Sequence, residues 1–225
     1  MAIFGLIFDV DGVLGDTEGP VCRATMKMFE DLYGITMKPE DFTPFIGTGA
    51  VRYVEGPAEK YGLKIDTDRA CNVRHENFVK IIESEPIAFP GVDRLLESVA
   101  AESDWRLGIA TSSPGEKSRQ TLKAAGIDAT IFNAYIHGDM ITHKKPHPEI
   151  YLAAATALDL PPQNCVVVED AITGTQSAKA AGMTCLSVTN SFTAEELHEA
   201  DCIVNSLEEV SLDLINLLVR GTAIL

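Results

Sequence analysis

Apolar residues along this chain gather into short runs that stop abruptly at polar or glycine positions. Residues 3–8, Ile-Phe-Gly-Leu-Ile-Phe, run straight into Asp9. Such a run suits a strand buried on both faces. Residues 107–110 and 165–168 follow the same rule, 184–188 follow it more weakly, and 134–136 and 202–204 are shorter candidates. Between them the spacing predicts helices over 92–101, 115–125, 148–158, 172–181 and 194–199, with a last one near 207–219. Gly126 and Gly182, each after a pair of alanines, are helix stop signals. Strands alternating with helices of 10–15 residues imply parallel βαβ units, hence an α/β fold with a doubly wound parallel sheet.

One stretch breaks this alternation. From Asp16 to Pro86 the pattern is helical only, over 21–33, 50–61 and 66–83, and Phe89-Pro90-Gly91 reads as the turn that returns the chain to the sheet. Such a stretch is too long for a loop between two strands. The expected organisation is therefore a core of 1–15 and 87–225, with an all-helical domain, 16–86, inserted after the first strand.

A chain of 225 residues buries about 70% of its unfolded surface and needs neither disulfides nor a structural metal to hold a core. Charge narrows the partners. A net charge of −15 is the wrong sign for nucleic acid or for an anionic membrane surface. The five cysteines are scattered, with no Cys-x-x-Cys pair, and read as reduced thiols. The first residues lack a basic n-region, and no apolar run approaches the roughly 20 residues of a membrane-spanning helix. The expectation is a cytoplasmic monomer, with a plastid location open should a transit peptide have been removed.

Ligands of open parallel sheets bind beyond the carboxyl ends of the strands. Those positions hold Asp9, Asp11 and Gly12 after the first run, Thr111 and Ser112 after 107–110, and Glu169 and Asp170 after 165–168. The loop after 134–136 leads to Lys144 and Lys145. Four carboxylates crowded at one edge raise one another's pKa unless a cation joins them. Oxygen ligands without His or Cys suit Mg²⁺, which favours a phosphate as a further ligand. A carboxylate beside such a metal can act as nucleophile, while a hydroxyl and a lysine hold the phosphoryl oxygens. The reading is phosphoryl transfer through Asp9. Plainer readings stand beside it: Asp9 and Asp11 as helix caps, Thr111 as a turn residue, Glu169 and Asp170 as caps of the helix from Ile172. His143 and His147 are read as loop histidines without a role, and Lys144 as a solvated charge.

Asp9-Val10-Asp11-Gly12-Val13-Leu14 resembles the first motif of the haloacid dehalogenase superfamily. Thr111, Lys145 before Pro146-His147-Pro148, and Glu169-Asp170 match its second, third and fourth motifs in order. Residues 167–183 are similar to the branch containing beta-phosphoglucomutase and phosphoglycolate-type phosphatases. The resemblance covers essentially the whole chain. It implies a Rossmann-like core with a helical cap, and a Mg²⁺-dependent phosphatase acting on a small phosphorylated metabolite through an aspartyl-phosphate. It further implies Asp9 as nucleophile and Mg²⁺ ligand, and Asp11 as general acid/base whose carbonyl also binds Mg²⁺. Thr111 and Lys145 hold the phosphoryl group, with Ser112 and the Gly12 amide near the phosphate. Asp170 ligates the metal and Glu169 supports it.

Within the superfamily, Asp11 argues against dehalogenation, which has no leaving oxygen to protonate. The runner-up is a sugar phosphomutase, but Val21, Ala50 and Pro114 stand where beta-phosphoglucomutase has His, Arg and Lys. A non-catalytic binding module is a third reading, opposed by the chemical competence of every core position. Residues 42–49 would face the substrate, and their aromatic and small side chains, without a fixed cation, suggest a substrate with one phosphate. Phe42 and Phe45 as interior residues of the cap is the alternative.

Overall fold

A computed structural model describes residues 3–46 and 49–221. The chain divides into two compact units. One runs to Asp16 and resumes at Ile87, and the other spans Thr17–Pro86.

The first unit is built on six strands: β1 (Phe4–Phe8), β2 (Trp105–Ala110), β3 (Ala134–Ile136), β4 (Cys165–Glu169), β5 (Thr184–Val188) and β6 (Cys202–Val204). They pair in the order β3-β2-β1-β4-β5-β6, every neighbouring pair parallel. β1 and β4 are the central pair of the site, with Ile7 opposite Val167 and Phe8 opposite Val168. Every residue of β4 is buried, the apolar run 165–168 as a strand covered on both faces requires and Glu169 at its end as well. The sheet order reverses direction on either side of β1, the geometry that opens a crevice at the strand ends.

The α-helices among the described residues are α1 (Glu18–Tyr33), α2 (Ala50–Lys60), α3 (Thr67–Ile82), α4 (Val92–Ala100), α5 (Gly115–Ala124), α6 (Glu149–Ala157), α7 (Ile172–Ala180) and α8 (Leu212–Val219). One side of the sheet is filled by Ile150, Tyr151 and Ala154 of α6 packing with Ile7, Val167 and Cys185. Gly126 and Gly182, both at φ +74°, end α5 and α7 in the left-handed conformation that favours glycine.

Two expected helices differ. Residues 194–199 form only turns. Thr193 and Glu196 do make reciprocal bonds of the capping-box kind, Thr193 N–H donating to Glu196 Oε2 and Glu196 N–H to Thr193 Oγ1. The segment must feed β6 within a few residues, too few to recover the cost of helix nucleation. The last expected helix splits into a 3₁₀ turn, Leu207–Glu209, and α8. Ser206 accepts from the Glu208 amide and Ser211 from the Leu214 amide, so two starts replace one.

The second unit contains α1, α2 and α3 with two 3₁₀ turns, Pro39–Asp41 and Thr43–Phe45. Met28, Phe29, Met37, Phe42, Tyr53 and Val54 form its core. Phe42 is buried, stacked on Tyr53 at 5.4 Å between ring centroids, and Phe45 packs against the same cluster. Of the expected substrate-facing aromatics, Phe42 is thus an interior residue of this unit, while Phe45 is half-buried at the edge of its core. The loop does have a cation beside it, since the Arg52 guanidinium lies 5.3 Å from the Phe45 ring. Gly47 and Thr48 of that loop lie outside the described residues.

Candidate active site

The parallel sheet delivers Asp9, Thr111 and Asp170 just past β1, β2 and β4. The Asp9 amide donates to the Val168 carbonyl at 3.0 Å, which locks the end of β1 to β4. Lys145 reaches in from the loop before α6. Its Nζ donates to Asp9 Oδ1 and Glu169 Oε1, both at 2.6 Å, and to the Ala110 carbonyl at 3.3 Å. Its side chain is 8% exposed, so this is a buried ammonium satisfied by three acceptors from three strand ends.

Glu169 is held on every side. Oε1 accepts from Lys145 and from the Tyr151 hydroxyl, at 2.6 Å, and Oε2 accepts from the amides of Asp170 at 2.9 Å and Ala171 at 3.1 Å. Four donors fill a carboxylate's acceptor capacity. Gly174 makes room for it: a Cβ there would strike the Glu169 carboxylate. Asp170 accepts from the Ser191 hydroxyl and lies against Gly12, where a Cβ would overlap its carboxylate. Gly12 also has φ +82°, so only glycine suits it on both counts. Its amide donates to the Gly15 carbonyl at 3.0 Å and its carbonyl accepts from Asn190 Nδ2 at 2.7 Å. The expected role of that amide toward phosphate is therefore not what this structure has: the N–H closes the turn that carries Asp11.

Asp11 stands apart from the Lys145 cluster. It accepts from Lys117 Nζ at 2.7 Å and from the Ser113 hydroxyl, and Lys117 also reaches Ser113 Oγ at 3.0 Å. Thr111 is buried, its amide donating to Ile136 O at 3.1 Å and its hydroxyl accepting from the Ser113 amide at 3.2 Å. It builds the turn and keeps a hydroxyl proton to donate. Ser112 is half-buried beside it. Neither aspartate caps α1, which starts from Thr17.

The electrostatics follow from burial. Burial pushes the Asp9 carboxyl up to about 7, opposed by the Lys145 ammonium and reinforced by Glu169 and Asp11. Burial, then the charges of Glu169 and Asp9, lift Asp170 well above the usual carboxylate range. Burial also acts on Glu169, but Lys145 and the hydrogen bonds from Lys145, Tyr151 and Ala171 outweigh it and leave this carboxyl below its ordinary value. For Lys145, burial is overcome by Asp9 and Glu169, which hold its proton more tightly than usual. The edge is short of positive charge around Asp9 and Asp170, and every donor there is a hard oxygen. Such a set fits Mg²⁺, which binds through one or two carboxylates and keeps water and phosphate as its other ligands.

Of the residues expected from sequence, Asp9, Glu169 and Lys145 come together directly, Asp170 adjoins Glu169, and Asp11 meets Lys117 instead. Lys117, Ser113, Tyr151, Ser191 and Asn190 are additional. The Ser113–Lys117 spacing of four, straddling a helix start, is a signal for the first two. A lone tyrosine in an alanine-rich helix six residues after Lys145 is a weaker one for Tyr151. Ser191 and Asn190 come from the loop after β5 and carry no sequence signal.

The haloacid dehalogenase-like hydrolase family is matched over residues 6–188. The chain is 35% identical over 201 residues, or 88% of its length, to the protein SUPPRESSOR OF QUENCHING 1, chloroplastic, of Arabidopsis thaliana, but spans only 19% of that relative. It is 31% identical to hexitol phosphatase A of Escherichia coli (strain K12), covering 92% of this chain and 93% of that enzyme. The crystal structure of beta-phosphoglucomutase from Clostridium difficile superimposes with a TM-score of 0.81 at 25% identity, covering 97% of this chain and 98% of that one. With its parallel sheet, its acidic strand ends and a family match over most of its length, the chain belongs to the haloacid dehalogenase-like hydrolases.

Proposed function

We propose that this protein is a Mg²⁺-dependent phosphatase that hydrolyses a small phosphorylated metabolite through an aspartyl-phosphate on Asp9. The observation that carries the reading is the Lys145 ammonium held 2.6 Å from both Asp9 and Glu169. A buried lysine fixed at a nucleophile's oxygen is placed to neutralise charge on a transferring phosphoryl group. Asp9 Oδ attacks phosphorus and the leaving alkoxide takes a proton from Asp11. Asp11 then removes a proton from the water that cleaves the acyl phosphate, restoring Asp9 and releasing phosphate. Thr111 donates its hydroxyl proton to a phosphoryl oxygen, with Ser112 beside it. Asp9, Asp170 and the Asp11 carbonyl would hold Mg²⁺, which when bound supplies charge neutralisation at the phosphate. Glu169, its lone pairs filled, supports that site by orienting Lys145 and the Asp170 backbone.

In this reading residues 17–86 are the cap that selects the substrate. The relatives' names point to phosphorylated polyols and sugars as the first class to try. A chloroplast protein among the relatives keeps a plastid location beside the cytoplasmic one.

One observation favours a sugar phosphomutase as second reading. Lys117 brings an ammonium to Asp11 and Ser113, so the cation missing at Pro114 is supplied three residues later.

The test is phosphate release from sugar phosphates, phosphoglycolate, nucleotides and an aryl phosphate, with and without Mg²⁺, using Asp9→Asn as the blank. Metal-dependent release absent from the variant is the expected result. Silence across the panel from folded protein overturns the phosphatase reading. Isomerisation of a hexose phosphate without net phosphate release would select the mutase.

A further inference from the structure

The loop that carries Lys145 holds a second group of ligand-type side chains, on its outer side. Among the described residues, one trio of His, Cys, Asp or Glu has its ligand atoms all within 4.8 Å of one another: His143, His147 and Glu149. The Glu149 carboxylate is pinned, Oε1 accepting from the Thr142 amide at 2.7 Å and Oε2 from the His143 amide at 2.8 Å. His143 Nδ1 lies 2.7 Å from Oε2, and His147 Nδ1 4.0 Å from the same oxygen. The two imidazole rings lie side by side with centroids 4.5 Å apart and planes tilted by 33°. Both histidines are exposed, while Glu149 is half-buried at the start of α6.

From this geometry we propose that His143, His147 and Glu149 form a second metal site that takes Zn²⁺ or a similar divalent transition metal. Two imidazoles and one carboxylate are the ligand types zinc selects, with water free to complete a tetrahedron. Zinc bonds of about 2.0–2.1 Å set tetrahedral donors roughly 3.3–3.4 Å apart. The observed separations of 2.7 and 4.0 Å bracket that value; His147 Nδ1 accepts from the Glu149 amide at 3.2 Å, so this exposed ring must turn and exchange that hydrogen bond for the metal bond. Magnesium has little affinity for imidazole nitrogen, so the trio and the oxygen set at Asp9 and Asp170 take different ions. On binding, His143 Nδ1 presents its lone pair to the metal, and the ring's single proton sits on Nε2. The hydrogen bond to Glu149 is replaced by two metal–ligand bonds. Because the trio flanks Lys145 in sequence, its occupant ties together the two ends of the segment bearing that lysine.

The test titrates Zn²⁺ into the full chain against a chromogenic chelator, in millimolar Mg²⁺ so that magnesium holds the oxygen set. We expect one zinc per chain, with affinity falling at least about tenfold in His143→Ala, in His147→Ala and in the double variant, and unchanged in His198→Ala. Micromolar Zn²⁺ should raise the unfolding temperature of the parent and not of the double variant. Circular dichroism and Mg²⁺-dependent phosphate release without zinc confirm that the variants are folded. Parent-like zinc affinity in the double variant, or no zinc held at micromolar concentration, overturns the proposal.

Discussion

Two lysine–carboxylate pairs of nearly equal length, one in each unit, do opposite work. Lys145 lies 2.6 Å from Asp9 and Glu169 with 8% of its side chain exposed, whereas Lys60 lies 2.5 Å from Asp41 with 59% exposed. In the helical unit, Asp41 also accepts from the Lys38 amide and the Tyr61 hydroxyl, so the carboxylate ties the 3₁₀ turn Pro39–Asp41 to the end of α2. Water keeps most of the solvation of Lys60, and the pair is a modest local clasp. At Lys145 the solvation is gone. Removing ions from water costs several kcal/mol each, and only the full set of donors and acceptors around Glu169 offsets it. The distances are nearly equal; burial decides that one pair fastens a turn and the other holds charges that water no longer solvates.

The largest expected effect separates chemistry from stability. Asp9→Asn should lower phosphate release at least about a thousandfold while the protein stays folded by circular dichroism. Unfolding of the variant, or retained turnover, would break the contrast. Lys145→Met comes next: it leaves Asp9 and Glu169 facing each other without a cation. It should cost about 3–5 kcal/mol in urea unfolding as well as activity. Tyr151→Phe sharpens the argument, because it removes only one of the four donors to Glu169 and should cost about 1–3 kcal/mol. The smallest effect belongs to the clasp whose lysine stays solvated, although Asp41 itself is buried. Hydrogen bonds from Lys60, Lys38 and Tyr61 hold Asp41 down at about 2, below its unfolded value, so its contribution is present above about pH 4 and fades as pH falls toward 2. Asp41→Asn should therefore lower the thermal midpoint slightly at pH 7, and the gap to the parent should close between pH 4 and 2.

Much of the site is legible because it lies where strands end. The runs closing at Asp9, Ala110 and Glu169 mark three neighbouring strands, and parallel pairing brings their carboxyl ends to one edge. Lys145 is legible only through its motif, since nothing in a loop's composition says how far it reaches. The pairings of Lys117, Ser191 and Asn190 are not legible, because their partners, Asp11, Asp170 and Gly12, are about 20 to 180 residues away in sequence. The helix expected at 194–199 failed for a related reason. Its local capping signals are present, but the path to β6 allows only turns.

By itself the sequence determined the α/β class, the helical insertion, the order of the four motifs and the acidic character of the edge. Each is a matter of periodicity or of residue type at a strand end, and survives any detail of packing. Tertiary structure decided which carboxylate does what. Asp9 and Glu169 share a lysine, Glu169 spends all its lone pairs on four donors, and Asp170 lies against Gly12 only because that residue has no Cβ. It also brought His143 and His147 onto Glu149. These outcomes depend on side chains from different elements meeting at hydrogen-bonding distance, and a linear pattern carries no information at that scale.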